Sequence, residues 1–376
     1  MTSEITARIR RMVLRLDDVF LERTDQIRVG LLSLLSGQHV LFLGPPGTAK
    51  SLLARALCDC FDGAELFDYL LTRFTHPDEL FGPVSIPGLK EEDYRRLTTG
   101  YLPTAHVAFL DEIFKANSAI LNSLLTIVNE RMFHHGTHRD HVPLLGMLGA
   151  SNELPDPEGG LGALFDRFLA RMQVGPLQDG SNFLAVCLGK TGPLPDQTGD
   201  ALRVHEVLEV RLRAAEVRTG KEIGATLLAL RESLSELGIE SSDRRWRWVV
   251  QMLKVAAFTS GRTAVGPNDL LLLRYCFGDP GQDEHRVQRA VNDAIRAHAL
   301  RPTVHLETLV PTLEALVAVV EMRWGELECE SPHGEDESRF RTLLNALEES
   351  EVELAEVIGQ ESSARISHLT QAVRAA

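Results

Sequence analysis

The sequence predicts an α/β protein: a five-stranded parallel sheet flanked by helices, followed by an all-α region. Three observations predict it. Up to Val174, short apolar runs alternate with stretches of helical spacing, the pattern of strand–helix–strand units that cover both faces of a sheet. After Gly175 the strand-type runs stop and helical spacing takes over. Between the first apolar run and the helix behind it stands GPPGTAKS, Gly44 to Ser51, a turn of small residues closed by Lys-Ser.

Taken in order, Ile5, Ile9, Met12, Val13, Leu16 and Val19 recur at helical spacing, so Ile5–Phe20 is read as a helix. Glu22–Ser36 is a second amphipathic helix, stopped by Gly37. His39–Leu43, HVLFL, is a short buried strand, and Ser51–Phe61 is the helix after the turn. Glu65–Leu71 reads as the second strand. Thr75–Leu80, THPDEL, reads as a helix start with Thr75 as N-cap and Pro77, Asp78 and Glu79 in the first turn. Phe81–Leu89 carries two Gly and two Pro and breaks that helix as an exposed loop or hairpin.

The third strand, His106–Leu110, ends in Asp111-Glu112. Ser118–Glu130 is a helix with Ile120, Leu121, Leu124, Leu125 and Val128 on one face. Phe133–Val142 reads as a hairpin turning at Gly136-Thr137. Leu144–Ala150 is the fourth strand, ending in Ser151-Asn152. Leu161–Phe168 is a helix and Leu169–Val174 a fifth strand. Gly180–Gly199 reads as a Gly/Pro/Asp-rich connector. Helices follow at Ile223–Leu237, Asp243–Thr259 and Pro267–Phe277, then at Val304–Leu327 and Ser338–Ala375. Between Glu326 and Glu361 twelve acids face two bases, a local net charge of −10, read as a solvated helical face. This pattern divides the chain at 1–196, 197–300 and 301–376.

The formal net charge of −14 argues against a general nucleic-acid binder, which needs a basic face. No apolar run reaches the length of a membrane span, and MTSEITARIRRMVLRL has no signal-peptide core. The cysteines Cys58, Cys60, Cys187, Cys276 and Cys329 are scattered, which suits a reduced, cytoplasmic protein.

The turn Gly44–Ser51 has the chemistry of a phosphate-binding loop. Small residues let backbone N–H groups of Gly44, Pro45, Pro46, Gly47, Thr48 and Ala49 (the prolines excepted) curl round a phosphate. The helix opening at Lys50, Ser51 and Leu52 adds its positive dipole end. Lys50 reaches the β- and γ-phosphates and Ser51 places its hydroxyl on Mg²⁺. Ala49 stands where this motif usually has a second Gly. Asp111 is read as the Mg²⁺ carboxylate and Glu112 as the group that polarises the attacking water. Asn152 can orient that water. Arg167, with Arg171 as its rival, can point at a neighbouring subunit's nucleotide. Arg244, with Arg245 as its rival, can reach the γ-phosphate from the second domain, and a salt-bridged surface arginine is the plain alternative for each. His134, His135, His138 and His141 crowd the hairpin, but strand alternation scatters them over two faces, so an exposed hairpin is preferred to a zinc site.

GPPGTAKS, FLDEIFKA, GASNELP, ALFDRF and SDRRW, in this order and spacing, resemble a MoxR-type AAA+ ATPase, with the RavA subfamily nearest. LLTRFTHPDELFGPVSI, TGYLPTAHVAFLDEI, ILNSLLTIVNER and AFTSGRTAV fit the same resemblance, which spans Leu16 to Phe277. It implies an AAA+ P-loop core, an all-α lid and a C-terminal helical segment. It makes Phe81–Leu89 the insert of the second helix and Phe133–Val142 the hairpin before the fourth strand, both facing a central pore. It also implies ATP/ADP and Mg²⁺ as cofactors, a homo-hexameric ring, chaperone-like work on a protein client, and a partner carrying a von Willebrand factor A domain. RavA-like proteins insert a domain for the inducible lysine decarboxylase within the helices after the lid. Here only ten residues, Glu328–Glu337, stand at that place, so a lysine decarboxylase is not expected as a partner. Two other functions stay open: a nucleic-acid-handling AAA+ motor, and a nucleotide-switched scaffold.

Overall fold

The computed structural model describes residues 2–156, 160–190, 192 and 199–299. The C-terminal helices expected at Val304–Leu327 and Ser338–Ala375, and the turn between them, lie outside the described residues. Met1–Ile295 form one compact unit.

Its centre is a five-stranded parallel sheet: β1 (His39–Leu43), β2 (Leu66–Leu70), β3 (Val107–Asp111), β4 (Gly146–Ser151) and β5 (Phe168–Gln173). The order is β2-β3-β4-β1-β5, and every neighbouring pair runs parallel. Helices cover the two faces, so β1 and β4 are buried along their whole length. That is why both strands are written in apolar and small residues without alternation.

Glycines in β4 let neighbouring elements close in. A Cβ at Gly149 would stand 2.7 Å from the Phe168 ring, and one at Gly146 would stand 2.6 Å from the Gln38 carbonyl oxygen. A hydrophobic cluster joins β3, β4 and the helix Ser118–Glu130, where Leu110, Ile120, Leu124, Ile127 and Met147 are fully buried. Asn117 caps that helix, accepting from the Ile120 N–H at 3.1 Å.

Several elements differ from the sequence reading. The helix after β2 is Pro77–Phe81, and its N-cap is His76 rather than Thr75. The Thr75 hydroxyl accepts from the Thr72 N–H at 2.8 Å instead, closing the loop before the helix. The insert is more regular than a loop: Val84 bridges Arg96, and Ser85 caps a one-turn helix at Ile86–Lys90. The helix expected at Leu161–Phe168 is the single turn Gly162–Phe165, because Phe168 already pairs with His39 as the first residue of β5. The stretch expected as a connector holds a helix, Gly180–Cys187, capped by Asp179 through the N–H groups of Ser181 and Asn182. Leu202–Arg203 is a short strand paired parallel with Phe61–Asp62, where the pattern shows helix alone. Pro267–Phe277 divides into a turn of α-helix, Pro267–Leu270, and a 3₁₀ segment, Leu271–Tyr275.

After the sheet come the helices Val204–Ala215, Lys221–Glu236, Asp243–Thr259 and Glu284–His298. One side chain binds this helical layer to the sheet. Arg245 is 2% exposed and donates to the carbonyls of Asp166, Phe168, Leu169 and Cys276. Strand β5 and the helix Asp243–Thr259 therefore share one buried cation.

A second buried polar group sits at the base of β1. His39 Nδ1 accepts from the Met147 N–H at 2.9 Å, and its Nε2 lies 3.1 Å from Arg131 Nη1. Burial, and then the Arg131 charge, hold its pKa well below the ordinary value. The unfolded chain takes a proton on this ring near pH 6.5 and the folded chain takes it only at lower pH. Stability from this group is therefore full above about 6.5 and falls by up to about 1.4 kcal/mol per pH unit below it. Urea midpoints measured between pH 7.5 and 5.5 are expected to fall, and His39→Asn, which cannot titrate, is expected to flatten that fall.

Candidate functional site

The phosphate loop leaves β1 through a backbone position with no space for a side chain. Gly44 donates to the Ser151 carbonyl at 3.0 Å, and a Cβ on it would lie 2.1 Å from the Val174 carbonyl oxygen. The chain then turns through Gly47, at φ +79°, where a Cβ would meet nothing within 4 Å. Ala49 sits at φ 66°, ψ 21°, the left-handed region, and immediately precedes the helix Lys50–Cys58. This explains why the motif usually has Gly there: a Cβ in that conformation costs roughly 1–2 kcal/mol.

Lys50 is 6% exposed and folds back over the loop. Its Nζ donates to the carbonyls of Gly44 at 2.7 Å and Pro45 at 2.8 Å, and lies 3.5 Å from Asn152 Oδ1. Burial lowers its pKa, and the charges of Asp111 and Glu112 oppose that shift. Thr48 donates its hydroxyl to the Pro45 carbonyl at 3.0 Å, which holds the loop's curl. Ser51 is half-buried and Leu52 is exposed at the helix start.

Asp111 ends β3, and its Oδ1 accepts from the Glu112 N–H at 3.0 Å. Glu112 also adopts a left-handed backbone, φ 52°. Its Oε1 accepts from Asn152 Nδ2, and its Oε2 lies 3.3 Å from Lys115 Nζ. Asn152 follows β4, which lies beside both β1 and β3. The sheet order thus brings Lys50, Asp111, Glu112 and Asn152 together at the carboxyl ends of three adjacent strands. Lys115 was not singled out in the sequence. Its signal is the i,i+3 spacing from Glu112 across the turn Ile113–Lys115.

The donor set suits a nucleotide polyphosphate with a hard cation. An amine, a helix N-terminus and an open glycine turn suit phosphates, and a hydroxyl and a carboxylate suit Mg²⁺.

The arginines divide by their partners. Arg171 donates to the carbonyls of Phe165, Phe168 and Gly278, lies 3.8 Å over the Phe165 ring, and burial draws its pKa down to about 9. Arg245 is committed to four carbonyls, as described above. Both rivals therefore hold the fold together. Arg167 Nη1 and Arg244 Nη2 each lie 3.3 Å from Asp166 Oδ2, and Arg244 also lies 5.0 Å over the Trp248 ring. The polar contacts of these two run to Asp166, not to the phosphate loop.

The hairpin strands are Met132–His135 and His138–His141. His135 Nε2 pairs with Asp140 and His138 Nε2 with Asp93, each at 2.7 Å. Among the described residues, no group of three or more His, Cys, Asp or Glu is arranged to hold a metal ion. Cys58, Cys60 and Cys276 are buried free thiols, each pushed up to about 12 by burial, and Cys187 is an exposed free thiol. No described helix is long and apolar enough to cross a membrane.

A parallel sheet in this order, with a Lys-Ser phosphate loop and an Asp-Glu strand end, defines a P-loop nucleotide-binding protein of the AAA+ class. Residues 7–190 match the MoxR domain of MoxR-vWA-beta-propeller ternary systems, and residues 222–291 match an AAA lid domain. Two uncharacterized proteins of Methanocaldococcus jannaschii are similar to the chain. One is 41% identical over 79% of this chain and 77% of its own length; the other is 42% identical over 72% of each. The chaperone MoxR1 of Mycobacterium tuberculosis is 25% identical over 70% of this chain and 72% of its own. A solved structure from Cytophaga hutchinsonii, described as a candidate ATPase, superposes with a TM-score of 0.63 over 80% of this chain and 96% of its own, at 18% identity. The chain belongs to the MoxR family of AAA+ ATPases.

The left-handed Ala49 yields a prediction. Ala49→Gly removes the Cβ penalty without touching a side-chain contact, so it is expected to raise unfolding stability by about 1 kcal/mol. Equal or lower urea midpoints than wild type would contradict the strain argument.

Proposed function

We propose that this chain hydrolyses ATP as the subunit of a ring motor, and that the ring remodels or matures protein clients. The observation that carries the reading is the meeting of Lys50, Asp111, Glu112 and Asn152 at adjacent strand ends. Gly44, Pro45, Pro46, Gly47, Thr48, Ala49, Lys50, Ser51 and Leu52 form the phosphate cradle. Ser51 and Asp111 hold Mg²⁺, which neutralises charge building on the β- and γ-phosphate oxygens when bound. Glu112 takes the proton of the attacking water, and Asn152 fixes the direction of its carboxylate through their hydrogen bond. Arg244 contacts the γ-phosphate from the lid. Arg167 acts on the nucleotide of the neighbouring subunit, so turnover needs assembly, with a homo-hexamer as the ring. The domain limits 1–196, 197–300 and 301–376 serve as a working division.

The matched domain is described from systems that contain a vWA protein, which supports a von Willebrand factor A domain protein as partner. The kinship with a protein named as a chaperone supports client remodelling. The RavA-like placement rests on the motif resemblance. A cytoplasmic site of action fits the free thiols. The net charge of −14 weighs against the nucleic-acid motor, and tight salt-sensitive binding to duplex or single-stranded DNA in an anisotropy titration would reverse that.

Lys50→Ala is expected to abolish nucleotide binding. Glu112→Gln is expected to bind ATP and slow its hydrolysis by about 10²–10⁴-fold, the range for loss of a general base. Arg167→Ala is expected to bind ATP and turn over poorly, and mixing it with Lys50→Ala should restore part of the turnover. Full turnover by a dilute monomer would refute the trans role of Arg167.

A further inference from the structure

Asp166 follows the single turn Gly162–Phe165 and stands two residues before β5. Its backbone is pinned: the carbonyl accepts from Arg245 Nη1 at 3.1 Å, and Arg245 is buried. Its carboxylate serves three guanidinium groups. Arg245 Nη1 lies 3.5 Å from Oδ1, while Arg167 Nη1 and Arg244 Nη2 lie at 3.3 Å from the same oxygen, Oδ2. Arg245 has four carbonyls besides. Arg167 is 13% exposed, and its Nε is buried with no hydrogen-bond partner. Arg244 is 45% exposed and otherwise rests on Trp248. One oxygen thus binds two cations at once. Such cations repel each other and divide the acceptor between them, so withdrawing one strengthens the other's hold.

We propose that Asp166 is a positioning residue that makes Arg167 and Arg244 compete for one carboxylate oxygen. The proposal rests on the reading above of Arg244 as the lid's contact to the γ-phosphate. A γ-phosphate that draws Arg244 away leaves Asp166 Oδ2 to Arg167 alone and tightens that pair. A subunit loaded with ATP therefore withholds Arg167 from its neighbour. A subunit whose Arg244 rests on Asp166 holds Arg167 loosely and offers it. Neighbouring sites in a ring then fire in alternation, because one carboxylate cannot serve both states equally.

Linkage makes the competition measurable in binding, without turnover. The full chain, at a dilution where sedimentation shows monomers so that no neighbour's Arg167 reaches the site, is titrated with a fluorescent, slowly hydrolysed ATP analogue and, separately, with fluorescent ADP. Arg244→Ala is expected to weaken the analogue and leave ADP unchanged. Asp166→Asn keeps the shape and the carbonyl anchor to Arg245 but releases Arg244, so the analogue should bind about two- to five-fold tighter, the range of a partly exposed ion pair, with ADP unchanged. Arg167→Ala lets Asp166 grip Arg244 alone, so the analogue should bind weaker by a similar factor. In the Asp166→Asn background, Arg167→Ala should have no further effect. Asp166→Glu, which keeps the charge, should return the affinity toward wild type and guards against a mere folding defect. An Arg167→Ala effect that persists in the Asp166→Asn background, or an equal shift for ADP, overturns the proposal. If Arg244→Ala weakens the analogue while Asp166→Asn does nothing, the proposal falls and the reading of Arg244 stands. If Arg244→Ala leaves the analogue unchanged, both fall together.

Discussion

The structure depends on the place of β1 between β4 and β5. A strand flanked on both sides by parallel neighbours has no edge and no solvent, so its chain must leave abruptly at the carboxyl end. Gly44 makes that exit: it is bonded to the Ser151 carbonyl and leaves no space before the Val174 carbonyl for a Cβ. The same three-strand contact puts Asn152, at the end of β4, 3.5 Å from the Lys50 amine. β3 lies on the other side of β4 and brings Asp111 and Glu112 to the same edge. The order of the strands thus makes four residues spread over more than a hundred positions into one cluster. A change in sheet order would leave each motif intact in the sequence and separate them in space.

What was legible in the sequence is what is encoded locally. The loop, the strand ends and the helix faces follow from residue type at fixed spacing, and the structure brings the loop and strand-end groups together. The rest required tertiary contact. Gly180–Cys187 was hidden because its composition reads as a connector and none of its residues is buried, so no periodic apolar face marks it. Leu202–Arg203 became a strand only because Phe61–Asp62 offers a partner about 140 positions away. Thr75 has the chemistry of an N-cap, but its hydroxyl is engaged with Thr72, and the helix begins after His76 instead.

The paired arginines show the limit most directly. Arg244 and Arg245 are adjacent on one helix, and sequence alone offers no choice between them. Successive residues on a helix point about 100° apart. That rotation sends Arg245 under β5, where four carbonyls hold it, and leaves Arg244 at the surface against Asp166 and Trp248. Burial decides which of the two can move. Arg167 and Arg171 are both half-buried and differ in partners instead: the Arg171 guanidinium is spent on three carbonyls and an aromatic ring, while Arg167 contacts Asp166.

The candidate site also shows why its groups are held in reserve. Lys50 is satisfied by two carbonyls of its own loop, and Glu112 by the Asn152 amide on one oxygen and Lys115 on the other. Each is a polar group that burial would penalise if left unpaired. A nucleotide at the proposed site would exchange these contacts, and a charged phosphate oxygen accepts a stronger hydrogen bond from the lysine than a backbone carbonyl does. Ala49 and Glu112 have left-handed backbones beside these groups. Strain at such positions persists only where the surroundings over-determine it. Here the surroundings are the sheet itself, which holds Gly44 through the Ser151 carbonyl and Asp111 through its pairing with Leu70. The geometry that makes these positions costly to fold also gathers Lys50 and Glu112 around Asn152, which contacts both.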